Sequence, residues 1–264
     1  MNQRLGIMTS ADAREFYNRI DPARWGRELT PESWAVTRQW LDNAVFDREG
    51  PVLELGCGRG ALPGVAPRYI GLDLSFPALA AVDEPFPRIA ADMEQLPVRS
   101  SGIELVVSFA AIEHVPHPER VLDEISRILR PGGVALLAPA WHCRPWAAEG
   151  LEFRGYDELT FTQRMRKRLI PFRNAVVWRA LFEAPRRLMR ELSSLRRRPM
   201  AFEYQRLTPN LTAYVGTDCD AFTSMDPHAA ILFFASRGWE VLSHRGVWQR
   251  LASRAEPVVV RKPK

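Results

Sequence analysis

Residues 52–60 read VLELGCGRG: a carboxylate, a thiol and three glycines behind a short apolar run. An apolar strand that runs into a glycine turn lets a ligand approach the backbone closely. Two spacings coexist in this stretch. Gly56-x-Gly58-x-x-Ala61 fits a turn that cradles the pyrophosphate of a dinucleotide. Glu54-x-Gly56-x-Gly58-x-Gly60 fits a loop with a carboxylate set beside a cationic ligand. The glycines alone suit both.

The neighbouring residues separate the two readings. Glu54 sits two residues before the first glycine, where it repels a pyrophosphate and attracts an ammonium group. A pyrophosphate also needs the N-terminus of a proper helix, with its dipole and free N–H groups. After Gly60 the chain runs ALPGVAP, and two prolines and a glycine leave room for barely one turn. Asp73, ending a second apolar run, can accept both hydroxyls of a ribose, a feature common to either ligand. Asp92, ending a third, can accept the N–H of an adenine amino group while Met93 covers the ring. A lone strand-terminal aspartate also serves as a turn former or helix cap, but its order after Glu54 and Asp73 favours the ligand reading.

Two histidines follow the later strands. His114, in EHVPHP, lies where a general base would face the reactive end of such a ligand; alternatively EHV only shapes the turn. His142, in PAWHCRPW, is the second candidate, and Trp141 and Trp146 beside it suit the walls of an acceptor pocket or plain core. His228 reads as part of a helix start. Asp218, Asp220 and Asp226 cluster in sequence, but Asp226 is explained by helix capping and the spacing is no calcium loop, so no metal is expected.

These residues need a scaffold. PVLEL, RYIGLDL, PRIAAD, IELVVSFA and GVALLAPA read as strands without polar–apolar alternation, as expected when both faces are covered. HPERVLDEISRILR carries Val121, Leu122, Ile125, Ile128 and Leu129 at helical spacing, with Pro131-Gly132-Gly133 as its stop. Residues 10–45 read as helices, the first capped by Asp12, a later one opened by Thr30-Pro31. DPHAAILFFASRG is a helix with Asp226 as cap, Pro227 at its first position and Gly238 at its end; the strands WEVLS and PVVVRK follow. The alternation predicts a doubly wound α/β sheet.

Taken together, VLELGCGRG, GLDLS, AADMEQLP, LVVSFAAIEHV and VLDEISRILRPGGVALLAP resemble the successive motifs of class I S-adenosylmethionine-dependent methyltransferases, over residues 51–140. The likeness is to the small-molecule branch that modifies quinones and sugars. It implies a Rossmann-like, seven-stranded sheet of order 3-2-1-4-5-7-6 with the last strand antiparallel. It also implies S-adenosyl-L-methionine as cofactor. Carried over by position, Glu54, Gly56, Cys57, Gly58 and Gly60 surround the methionine part, Asp73 and Leu74 the ribose, Asp92 and Met93 the adenine. Phe109 and Ala110 border the cofactor after strand four. FYNRI resembles the family's lid helix and adds Tyr17. The proline-broken stretch after Gly60 departs from the pattern.

The implied domains are an N-terminal helical lid (1–47), a cofactor-binding core (48–140), a basic helical insert or cap (141–225), and a C-terminal helix with strands six and seven (226–264). The insert is long for a connection that ordinarily takes ~2–6 residues. Pro171 and Pro185 are expected to break it into short helices. Between Arg164 and Arg198 it holds twelve basic residues against Glu183 and Glu191, in a chain whose net charge is only +5. In its last helix Leu188, Leu192 and Leu195 form an apolar stripe, with Arg186, Arg187, Arg190 and Arg197 elsewhere around it. Such arginines suit phosphate or carboxylate on an acceptor, an anionic membrane surface, or a solvated face; nucleic acid is disfavoured because no reading motif is present. Three scattered cysteines and no apolar leader predict a reducing, cytoplasmic setting. The expected reaction is O-methylation of a sugar or glycan precursor. The alternatives are N- or C-methylation of a quinone or polyketide, or a catalytically silent partner protein. Retention of Glu54, Asp73 and Asp92 speaks against the last.

Overall fold

The computed structural model describes residues 9–21, 39, 47, 49–60, 67–81, 86–174, 176–196, 198–212 and 218–264. The helix expected behind Thr30-Pro31 and most of the proline-broken stretch, residues 61–66, lie outside them.

Five strands, β1 (Val52–Leu55), β2 (Tyr69–Asp73), β3 (Arg88–Ala90), β4 (Ile103–Phe109) and β5 (Leu129–Ala138), run parallel. Two more, β8 (Glu240–Val241) and β9 (Val258–Arg261), complete a sheet of order β3-β2-β1-β4-β5-β9-β8. β9 lies antiparallel to both its neighbours, so it alone runs against the others. This is the expected seven-stranded arrangement. Between them, β6 (Tyr204–Arg206) and β7 (Thr223–Met225) form a separate antiparallel pair.

The continuous apolar runs are explained by cover on both faces. Leu53, Leu55, Val106, Ala135 and Leu137 point to one side, where α3 (Pro118–Ile128) buries Val121, Leu122, Ile125 and Ile128. Burying each such side chain contributes about 1.5–3 kcal/mol. Val52, Leu105, Val107, Val134, Leu136 and Val259 point to the other side. Edge strand β3 is the exception, half exposed for lack of a second neighbour.

Some local expectations change. Thr9, not Asp12, is the N-cap of α1 (Ser10–Arg19); Asp12 closes a reciprocal capping box, taking the Thr9 N–H at 2.7 Å. α3 ends at Ile128 without help from Pro131-Gly132-Gly133. Leu129 is already extended and opens β5, and the three residues form an irregularity inside that strand. Short helices α2 (Phe76–Ala80) and α4 (Pro145–Ala148) follow β2 and β5. Pro171 and Pro185 do not break the insert: each lies inside a helix, in α5 (Phe161–Asn174) and α6 (Val176–Ser194). Each proline removes one helical hydrogen bond, at a cost of about 3 kcal/mol. α7 (Pro227–Ala235) starts as expected, with Asp226 accepting the His228 N–H at 2.9 Å. α8 (Val247–Ala252) then separates β8 from β9.

Candidate active site

The direction of the sheet decides where chemistry can occur. Strand order reverses between β1 and β4, and the crevice outside the carboxyl ends of these strands is where open α/β sheets bind ligands. The sequence-selected residues collect there. Gly56, Gly58 and Gly60 follow β1 and all adopt left-handed conformations, with φ of +70°, +53° and +87°. At Gly56 a side chain is excluded twice over, because a Cβ there would lie 2.3 Å from the Ala111 Cβ. The Gly56 and Cys57 N–H groups donate to the Leu72 carbonyl at 2.8 and 3.0 Å, tying the loop to β2.

Asp73, at the end of β2, holds the loop from the other side. Its Oδ2 accepts the Gly58 N–H at 2.7 Å and its Oδ1 the Ser75 N–H at 2.8 Å. Burial pushes its pKa up against these amides and the charge of His114. Leu74 follows directly, half-buried. Glu54 is buried in β1 and its carboxylate takes a hydrogen bond from the Tyr69 hydroxyl. Cys57 turns its thiol onto Gly71, where an added Cβ would meet the sulfur at 2.7 Å. Burial, with Asp73 and Glu54 nearby, raises the thiol pKa far above its ordinary value, so it carries no thiolate near neutral pH.

Asp92 lies two residues beyond β3 and forms a turn, its Oδ1 accepting the Glu94 N–H at 2.8 Å. Met93 is buried, with its methyl 3.5 Å from where a Gly56 Cβ would stand. Phe109 ends β4 half-buried, and Ala110 is exposed with φ +43°, an uncommon conformation for a residue with a side chain.

His114 closes the 3₁₀ turn Ile112–His114 after β4. Around it stand its chain neighbour Glu113 and groups from two distant parts of the chain. Its Nδ1 is 3.5 Å from Asp220 Oδ2, its Nε2 is 3.7 Å from Glu113 Oε1, and its ring meets Tyr17 edge-on at 6.1 Å. The Tyr17 hydroxyl donates to Asp220 Oδ2 at 3.0 Å. Although Asp220 is close, Nδ1 makes no hydrogen bond, and neither do Asp220 Oδ1 and Glu113 Oε2. Burial presses the His114 pKa down, but Asp220 and Glu113 outweigh it, and the balance lies above the ordinary imidazole value. Glu113 is fully buried; its Oε1 accepts the Ala140 N–H at 2.9 Å, which joins this turn to the end of β5.

His142 has other partners. It sits at φ +61°, donates its N–H to the Met225 carbonyl at 2.9 Å, and has Nε2 3.5 Å from Arg187 Nη2. Arg187 in turn grips Asp226 with two hydrogen bonds, at 2.8 and 3.1 Å. His228 is buried against Glu191 at 3.2 Å, and burial lowers its pKa. Trp146 packs with Leu151 and Leu159, its indole N–H donating to Glu152 at 3.0 Å.

Asp220 and Glu113 are the site residues that sequence reasoning missed. Glu113 adjoins His114 in the chain, and Asp218 and Asp220 were weighed only as metal ligands. A cleft of 490 Å³ is lined in part by Glu149, Phe153, Arg154, Gln163, Thr208 and Asn210. The Asn210 N–H donates to the Cys219 carbonyl at 2.7 Å, tying the cleft wall to Asp218–Asp220.

A bound S-adenosylmethionine fits these residues. Asp73 offers a carboxylate for ribose hydroxyls, and the partnerless His114 Nδ1 and Asp220 Oδ1 are buried polar atoms suited to a ligand.

Comparison with known proteins places this arrangement. Residues 53–137 match the methyltransferase domain family. A probable S-adenosylmethionine-dependent methyltransferase of Mycolicibacterium smegmatis is 37% identical over 94 residues, covering 33% of this chain and 37% of that protein. A ubiquinone biosynthesis O-methyltransferase of Paraburkholderia phytofirmans is 30% identical over 146 residues, covering 48% of this chain and 62% of that protein. The chain thus spans less than two thirds of the length of either relative. Among solved structures, the geranyl diphosphate C-methyltransferase of Streptomyces coelicolor superposes with a TM-score of 0.41 at 15% identity, covering 60% of this chain and 77% of that one. Residues 53–137 are thus similar in sequence to S-adenosylmethionine-dependent methyltransferase domains, and they build most of the seven-stranded sheet.

Proposed function

We propose that the protein transfers a methyl group to a hydroxyl of a small, polar acceptor, a sugar or glycan precursor. The observation that carries this reading is the setting of His114: a half-buried imidazole with a raised pKa, its Nδ1 3.5 Å from Asp220, in the turn after β4. S-adenosylmethionine, when bound, supplies an electrophilic methyl. The chain's own residues do the remainder. The Gly56–Gly60 loop orients the methionine part and Asp73 the ribose. His114 takes the proton from the acceptor hydroxyl, and the Asp220 and Glu113 carboxylates stabilise the imidazolium that forms. Tyr17, from α1, covers Asp220 and excludes water. Holding acceptor and methyl in line lowers the barrier by up to about 7–11 kcal/mol.

The cleft tied to Asp218–Asp220 through Asn210 carries Gln163, Thr208 and Asn210 beside Phe153 and Pro209, and the polar three can bond a hydroxylated acceptor. Two measurements test the reading. Calorimetry is expected to show S-adenosylhomocysteine binding at micromolar concentration; no binding, or NADH binding in its place, would sink it. A labelled-methyl transfer screen against sugar nucleotides, glycolipids and cell extract is expected to label a hydroxylated acceptor. His114→Ala should then lower kcat strongly and spare cofactor affinity. Label found only on nitrogen or carbon, or turnover untouched by His114→Ala, would overturn the O-methyl assignment.

A further inference from the structure

A helix on a protein surface ordinarily turns its apolar residues inward and its charges outward. α6 does the reverse. Arg187 and Arg190 are buried, while Leu188, Met189, Leu192 and Leu195 are 50–74% exposed. The inversion is built in: Arg187 donates to Asp226 and to the carbonyls of Leu251 and Ser253, and Arg190 bonds Glu203. Glu191 holds Arg250 through two hydrogen bonds at 2.8 Å. With its ionic face locked inward, α6 presents its leucines to the outside.

Leu181, Leu188 and Leu195 recur every seventh residue with Leu192 between them, so they form one row along the helix. α5, which precedes α6 across the single residue 175, carries a second row: Phe161, Met165, Leu169 and Phe172, spaced four, four and three residues apart. Phe161 is 80% exposed and Phe172 75%. Beside these rows stand exposed cations, Arg168 in α5 and Arg196 and Arg198 just beyond α6.

We propose that the exposed apolar rows of α5 and α6 dock on an anionic lipid bilayer and lie in its interface, apolar side chains inserted and arginines at the headgroups. Charge selects this occupant. A second copy of the chain would bring arginine against arginine, whereas an anionic surface complements them. Phenylalanine and leucine rows flanked by arginine are what an interfacial helix needs, and a fluid surface requires no keyed partner residue. Among the described residues no helix is long and apolar enough to cross a membrane, so the contact is with its surface. The proposal stands independently of the methyl-transfer reading, because its readout involves no turnover.

The test is co-sedimentation of the full chain with vesicles of phosphatidylcholine alone and of phosphatidylcholine containing a third phosphatidylglycerol. Binding is expected only to the anionic vesicles. It should fall as salt rises from about 0.1 to 1 M, where the screening length drops from ~10 to ~3 Å. Arg168→Glu and Arg196→Glu should each weaken partition about fivefold or more. Leu188→Ser with Leu192→Ser should weaken it about tenfold or more, with an unchanged circular-dichroism melt because both side chains are exposed. Equal binding to both vesicle types, or binding to neither, would overturn the proposal. So would a concentration-dependent dimer that the same leucine substitutions dissolve, which would assign the face to a second copy.

Discussion

Gly56→Ala tests the loop where it is tightest. Two costs arise from the backbone. At φ +70° a side chain pays the left-handed penalty of about 1–2 kcal/mol. The new methyl would also stand 2.3 Å from the Ala111 Cβ, an overlap that costs about 1–3 kcal/mol to relieve by shifting the loop away from the turn after β4. The sum, about 2–5 kcal/mol, corresponds to a fall in Tm of roughly 5–15 °C for a chain of this size. Thermal and urea denaturation measure it. The double variant Gly56→Ala/Ala111→Gly separates the two parts: removing the Ala111 methyl abolishes the overlap and leaves the φ penalty. A cycle with Ala111→Gly alone should show favourable coupling of about 1–3 kcal/mol. If Gly56→Ala melts within a degree of the parent, or the cycle shows no coupling, the loop does not pack on Ala111 as described.

Two further outcomes follow from charge. The rate of methyl transfer should rise with pH to a midpoint above the ordinary imidazole value of about 6.5, since His114 must lose its proton to act. Asp220→Asn should move that midpoint down; an unmoved midpoint would remove Asp220 from the site. Because the folded pKa of His114 is raised, its imidazolium stabilises the fold fully below the unfolded value, and that contribution disappears as pH rises through the folded one. For Asp226, burial acts upward but Arg187 outweighs it, leaving the carboxyl below its usual range. Its contribution is therefore present above the unfolded carboxylate value and lost as pH falls through the folded one. Arg187→Met should cost about 3–5 kcal/mol in urea denaturation at neutral pH, and less once acid protonates Asp226; a constant difference across that range would refute the pairing.

The half of the molecule that sequence reasoning described well is the half with strong local patterns. β1 to β5 are buried on both faces and so write unbroken apolar runs; α3 writes its stripe of Val121, Leu122, Ile125 and Ile128. α7 carries its own cap in Asp226. Where burial is slight or ionic the pattern fails. α8 buries no residue and leaves no periodic trace, whereas the two-residue β8 falls inside the expected strand WEVLS. α6 misleads because its arginines, not its leucines, face inward. The site divides the same way. The glycine loop, Asp73 and His114 stand at strand ends that local patterns locate. Tyr17 and Asp220 meet across 203 positions of the chain, a contact no window of sequence records.

The inward face of α6 has a thermodynamic consequence. The sheet is held by apolar surface, whose exposure on unfolding raises the heat capacity. The described part of α6 is held largely by Arg187–Asp226, Arg190–Glu203 and Glu191–Arg250, groups whose hydration lowers it. The two attachments should therefore respond differently to temperature: the grip on the sheet weakens on cooling, while charged groups lose hydration free energy on warming and resist release of the helix. Acid and salt, not cold, are the conditions that detach α6 first.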